Sequence, residues 1–177
     1  MRINRLFLGG MMALALLVST SMQAQQDKAQ RPSPPAEAKA TVGGKVSVMI
    51  NYSSPAVKGR KVWGELVPYG EVWRTGANEA TTFEISKDAF INGQKLPAGK
   101  YSLFTIPGEK SWVVIFNKEP NQWGAYNYKQ DMDALRINVT PKKSKTFNER
   151  LTITATAKGL VTIAWENLMV SFKVKAA

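Results

Sequence analysis

KVSVMINY, residues 45 to 52, decides the fold. Val46, Val48, Ile50 and Tyr52 alternate with Lys45, Ser47 and Asn51, and Met49 is the one exception. Successive side chains of a strand point to opposite faces, so a period of two marks a strand with one packed face and one wet face. The same alternation recurs at Leu135, Ile137 and Val139 against Arg136, Asn138 and Thr140, and at Leu151, Ile153 and Ala155 against Thr152, Thr154 and Thr156. It returns at Val170, Phe172 and Val174 against Ser171, Lys173 and Lys175. One-sided strands of this kind belong to antiparallel sheets.

Two segments, Tyr101 to Ile106 and Trp112 to Phe116, are apolar on both parities, the pattern of central strands covered on both faces. Pro107 and Gly108 supply a turn between them, and Asn92-Gly93 has the composition of a type I′ hairpin turn. Lys158-Gly159 marks a further turn and Glu166-Asn167 another. About nine short strands, tight turns and no long helical period predict an all-β, single-domain antiparallel β-sandwich.

Outward from these strands, the N-terminus reads as a secretory signal peptide over residues 1–24. Arg2 and Arg5 precede the apolar run Leu6 to Val18, and a small, polar stretch ends at Ala24. The apolar run has 13 residues, short of the roughly 20 that cross a bilayer as a helix, and no second run follows, so no transmembrane segment is expected. The chain is therefore expected to be exported and to reside in the periplasm or outside the cell. Residues 25 to 40 are rich in Gln, Ala, Lys and Pro and read as a disordered leader, with the sandwich domain over 41–177.

The chain has no His and no Cys. That removes imidazole bases, thiol nucleophiles, disulfides and the commonest zinc ligands. The formal charge of +11 becomes +9 once Arg2 and Arg5 leave with the leader peptide and all 13 acidic residues stay. Export argues against a nucleic-acid partner, and most of the basic residues read as a solvated surface.

Two regions break the strand rhythm: Ser53 to Asn78, punctuated by Pro55, Gly59, Gly64, Pro68, Gly70 and Gly76, and Asn117 to Met132, with Trp123, Tyr126 and Tyr128. Irregular segments longer than about 12–15 residues are uncommon unless they bind something or are disordered. Their Trp and Tyr content argues against disorder. The run Pro55 to Thr82, with LPAGKYSLFTIP at 96–107, VIFNK at 114–118, NQWG at 121–124 and Trp165-Glu166-Asn167, resembles a family of secreted bacterial proteins of unknown function frequent in Bacteroidetes. The resemblance covers Val46 to Val174 and implies an exported, mainly β protein with no assigned chemistry. Ser54 stands where that family more often carries Arg, which argues against an anion site built on that position.

Arg74 to Glu79 is the densest polar group. A guanidinium beside an amide and a carboxylate suits a sugar, a carboxylate or a phosphate, whereas a plain turn would give Gly76 a positive φ and pair Arg74 with Glu79 or Glu71. Lys58, Arg60 and Lys61 cluster around Gly59, as an anion contact or a solvated turn. Trp123 and Tyr126 offer flat faces among amides. The candidate ligand-binding residues are Lys58, Arg60, Trp73, Arg74, Asn78, Glu79, Trp123 and Tyr126. Trp112 and Trp165 read as core.

No catalytic residue is assigned. A hydrolase would have to use Glu71 and Glu79 as paired carboxylates, and no elbow for a nucleophilic Ser is present. Asp131 and Asp133 make a poor calcium loop, so no metal and no cofactor is expected. Three readings stay open: a non-catalytic binder of a glycan or an anionic small molecule, an envelope hydrolase, and a module that contacts another envelope protein.

Overall fold

The alternating segments pair into two antiparallel sheets in the computed structural model, which describes residues 28–177. The signal peptide at 1–24 lies outside the described residues. The strands are β1 (Pro35–Val42), β2 (Val46–Ser53), β3 (Thr82–Ile85), β4 (Ala89–Ile91), β5 (Gln94–Leu96), β6 (Gly99–Ile106), β7 (Trp112–Asn117), β8 (Asp133–Val139), β9 (Lys142–Ala155) and β10 (Leu160–Ala176). A six-stranded sheet runs β1-β2-β3-β6-β7-β8, and a four-stranded sheet runs β5-β4-β10-β9. The strands number ten, against about nine expected. Among the described residues no helix is long and apolar enough to cross a membrane.

The core lies between the sheets. Val48 and Ile50 of β2, Phe83 and Ile85 of β3, Leu103 of β6, Val114 and Phe116 of β7 and Ile137 of β8 face Leu151, Ile153, Val161, Ile163, Phe172 and Val174 of the other sheet. The rings of Phe83, Phe116 and Phe172 meet at centroid distances of 5.0 to 6.0 Å. β6 and β7 are covered on their outer side as well. There Phe104 and Ile115 pack with Ala80, Val72, Ala125 and Tyr128 from the two irregular segments, which explains why these strands are apolar on both parities.

The Asn92-Gly93 hairpin has both residues at positive φ, 47° and 87°, as a type I′ turn requires. Gly159 also takes positive φ, and a Cβ there would overlap the Val174 carbonyl. The turn expected at Glu166-Asn167 is not one. Both residues lie inside β10, where Glu166 adopts φ 54° and the pairing with β9 shifts register, so a bulge carries the signature of a turn.

The leader does not extend to residue 40. β1 begins at Pro35 and pairs with β2 along its whole length, Pro35 opposite Ser53 and Val42 opposite Val46. The preceding residues are held too: the Ser54 amide donates to the Pro34 carbonyl at 2.8 Å, and the Asn78 side-chain amide donates to the Ser33 carbonyl at 3.2 Å. The physical reason is a period of two written in alanine. Ala36, Ala38, Ala40 and Val42 turn inward against Glu37, Lys39 and Thr41, and hydrogen bonds along the edge of β2 supply what small side chains do not.

Candidate functional site

The first irregular segment closes one end of the sandwich with tryptophan. Trp63 meets Trp112, Trp73 and Trp165 edge to face at 4.8, 5.8 and 5.9 Å, and Trp73 stacks on Trp165 at 5.9 Å. Trp73 continues the sheet past the end of β3, exchanging backbone hydrogen bonds with Thr105 of β6, and its indole N–H donates to the Gly76 carbonyl. Its place beside Arg74 makes Trp73 a candidate ligand-binding residue in the sequence. It is 9% exposed and belongs to the core, because pairing with β6 turns its ring inward.

The basic turn ahead of it is self-contained. Lys58 and Gly59 both take positive φ, and the Arg60 amide closes the turn on the Val57 carbonyl. The Arg60 guanidinium donates to the carbonyls of Ala56 at 2.6 Å and Val57 at 3.0 Å, while the Lys58 amide donates to the Glu149 carboxylate. Arg60 is committed to its own loop, and neither it nor Lys58 lines the groove described below.

Arg74 to Glu79 and the Trp123 loop do meet. Glu79 forms a single antiparallel bridge with Trp123, the Ala80 amide donates to the Gln122 carbonyl at 2.9 Å, and the Gly124 amide donates to the Asn78 carbonyl at 3.1 Å. Thr75 and Asn78, not Gly76, take the left-handed backbone. Gly76 is needed for space: a Cβ would sit 3.0 Å from both the Ser53 carbonyl and the Thr81 hydroxyl. The expected pairing of Arg74 with Glu79 or Glu71 does not form. Arg74 makes no ion pair among the described residues, and its Nε is buried without a hydrogen-bond partner. Burial lowers the pKa of its guanidinium, opposed by the nearby Tyr126 phenol.

Glu79 pairs instead with the N-terminal strap. Arg31 Nη1 donates to both carboxylate oxygens at 3.0 and 2.9 Å, and Lys28 Nζ lies 3.4 Å away. Partial burial alone would raise the carboxyl pKa, but its own backbone N–H, Arg31 and Lys28 together hold it below the ordinary value. Two adjoining depressions, of about 260 and 340 Å³, share Glu79, Ala80 and Thr82. The first runs from the strap over Asn51 and Thr82 to Lys100, and the second runs past Pro120, Asn121 and Gln122 to Trp123. Asn51, Thr82 and Lys100 lie on the parities opposite the core residues of β2, β3 and β6. The groove therefore crosses the outer face of the six-stranded sheet.

Trp123 forms its far wall and is 55% exposed; Tyr126 beyond it is 84% exposed. Beneath them a polar network holds the loop. Asn117, fully buried, donates from Nδ2 to the Lys129 carbonyl and the Asp133 carboxylate, and accepts from the Glu119 amide and Gln122 Nε2. The Tyr128 hydroxyl donates to Asp133 at 2.7 Å. Arg136 Nε lies 3.2 Å from the same carboxylate, an ion pair and not a directed hydrogen bond. Burial, with the Asp133 hydrogen bond and charge, pushes the Tyr128 phenol up to about 12. Asp133 is thus occupied by protein partners, and among the described residues no cluster of acidic side chains suits a metal ion.

Sequence reasoning missed Lys28, Arg31, Asn51, Thr82 and Lys100. The strap residues fall in a Gln-, Ala- and Pro-rich stretch that reads as leader, and the strand residues look like any outward-facing polar positions. Glu71 lines neither depression, so the two candidate carboxylates do not face each other across the groove.

The fold and groove define a two-sheet antiparallel sandwich with a groove of mixed polar and apolar lining, walled at one end by Trp123, across one outer face. Residues 33–174 match the family model described as "Protein of unknown function (DUF2911)", and the chain belongs to that family. Comparison with curated proteins and with solved structures finds no match.

Proposed function

We propose that this protein is an exported, non-catalytic binding protein for a glycan of the cell envelope. The observation that carries the reading is the half-exposed Trp123 ring at the end of a groove that mixes amide, hydroxyl, carboxylate and cationic side chains with the apolar surfaces of Pro35, Ala80 and Pro120. A pyranose ring presents an apolar face to an indole and hydroxyls around its rim, so a flat aromatic wall beside short polar side chains matches both. Glu79, Asn51, Thr82 and Asn121 supply acceptors and donors for hydroxyls. Lys28, Arg31 and Lys100 outnumber the one carboxylate and favour a sugar that carries negative charge. Glu79, held ionised by Arg31 and Lys28, is a hydrogen-bond acceptor and a poor proton donor, which weighs against the hydrolase reading.

The test is calorimetric titration and thermal melting of the chain from Gln25 onward against neutral and uronic-acid-containing oligosaccharides. At about 100 times its dissociation constant a ligand adds about 2.7 kcal/mol, which should raise Tm by roughly 5–11 °C. Trp123→Ala should remove the shift and Arg60→Ala should leave it. A panel with no shift, or one that survives Trp123→Ala, overturns the reading.

A further inference from the structure

A second surface feature, on the other sheet, has no part in the groove. β9 and β10 pair regularly from Val161 opposite Ala155 to Ala164 opposite Thr152, and then lose register twice. From Thr152 to Asn148 β9 advances four positions while β10 advances two, and from Asn148 to Lys143 it advances five against two. The surplus residues of the second shift, Ser144 to Phe147, have no register partner in β10 and form a bulge, a knuckle in the edge strand. One side chain fixes its shape: Asn148 Nδ2 lies 2.9 Å from Ser144 Oγ, 2.9 Å from the Thr146 carbonyl and 3.2 Å from the Glu166 carbonyl. At the same place β10 takes the positive φ of Glu166.

Phe147 is 56% exposed on this knuckle, and Lys142, Lys143 and Lys145 beside it are exposed and make no ion pair among the described residues. Lysines along an edge strand serve to discourage edge-to-edge pairing. That role accounts for the lysines but not for a phenylalanine held out of the core among them. We propose that the knuckle docks on an anionic lipid bilayer surface, with Phe147 entering the interface and the three lysines lying against the headgroups.

Two observations select a bilayer over a protein partner. Phe147 lines none of the four best-formed depressions, and although Lys142 borders one of about 540 Å³ with Leu160, Met169 and Ser171, the Phe147 ring stands apart from it with no pocket beside it for a partner's anchor. A stable protein contact also needs about 1,000 Å² of matched surface, whereas a bilayer needs only an apolar tip and positive charge. The acidic residues beside the knuckle, Glu149 next to it in the chain and Glu166 across the pair from Asn148, are two against the three lysines and Arg150, so the local balance stays positive.

The experiment is vesicle co-sedimentation of the chain from Gln25 onward, which carries both sheets and the whole core, with phosphatidylglycerol-containing and pure phosphatidylcholine vesicles. Binding is expected only to the anionic vesicles. Each of Lys142→Gln, Lys143→Gln and Lys145→Gln should weaken it about fivefold, and Phe147→Ser about tenfold. Unchanged melting temperatures verify that the variants fold. The chain lacks Cys, so Phe147→Cys carrying an environment-sensitive fluorophore reports insertion directly and should shift to the blue. Trp123→Ala should leave vesicle binding intact, which separates this surface from the groove. No binding to anionic vesicles overturns the proposal. So does salt-sensitive binding with no blue shift and no effect of Phe147→Ser, the result expected of net charge alone.

Discussion

The two irregular segments look alike as sequence, each long, Gly- and Pro-punctuated and rich in aromatic residues, yet the fold uses them in opposite ways. The segment from Ser53 to Asn78 turns Trp63 and Trp73 into the core, where they pack with Trp112 and Trp165. The segment from Asn117 to Met132 keeps Trp123 and Tyr126 on the surface and is anchored by the Asn117–Asp133–Tyr128 network and a small apolar cluster on the outer face of the sheet. Aromatic content therefore does not distinguish a buried plug from an exposed wall. What distinguishes them is whether backbone pairing turns the ring toward the space between the sheets or away from it.

The sharpest way to break that comparison is to truncate one ring from each segment. Trp63→Ala should lose about 3–5 kcal/mol of stability, a fall in Tm of about 6–20 °C. Trp123→Ala should stay within about 0.5 kcal/mol of the parent. Equal losses in urea denaturation would erase the distinction.

A smaller effect tests the anchor. Asn117→Ala removes four hydrogen bonds from a buried site and should lower stability by about 2–3 kcal/mol. Amide hydrogen exchange should speed up between Glu119 and Lys129 and stay unchanged around Trp63. Uniform acceleration would mean that the two segments unfold as one unit.

The smallest effect is a pH signature. The Tyr128 phenol is raised to about 12 in the folded chain, whereas the unfolded chain ionises near pH 10. The folded form therefore holds the proton more tightly. Its stabilising contribution is complete below about pH 10 and is lost as pH rises toward 12. Tyr128→Phe should flatten that decline in a denaturation series across the window and lower neutral-pH stability by about 1 kcal/mol. An unaltered slope would assign the decline to other groups.

The strands most legible in sequence were those whose inward positions carry large apolar residues: β2, β8, the second half of β9 and the end of β10. Doubly apolar β6 and β7 also announced their covered position. β1 escaped because alanine writes a faint alternation, and the bulge at Glu166 imitated a turn because both use left-handed backbone. Of the candidates read from sequence only Glu79 and Trp123 line the groove, while Arg74, Asn78 and Tyr126 line neither depression; Lys28, Arg31, Asn51, Thr82 and Lys100 carry no local signal and acquire a role only from their neighbours.

The sequence by itself determined an all-β antiparallel sandwich, the hairpin turns at Asn92 and Lys158, and the absence of imidazole and thiol chemistry, because side-chain period, turn composition and residue inventory are local properties. Only the tertiary structure decided that Trp73 is core, that Arg60 serves its own loop, and that Glu79 meets Arg31, 48 residues away in the chain. Those outcomes depend on strand register and on which face of a sheet a segment crosses, and both are set by packing over the whole domain.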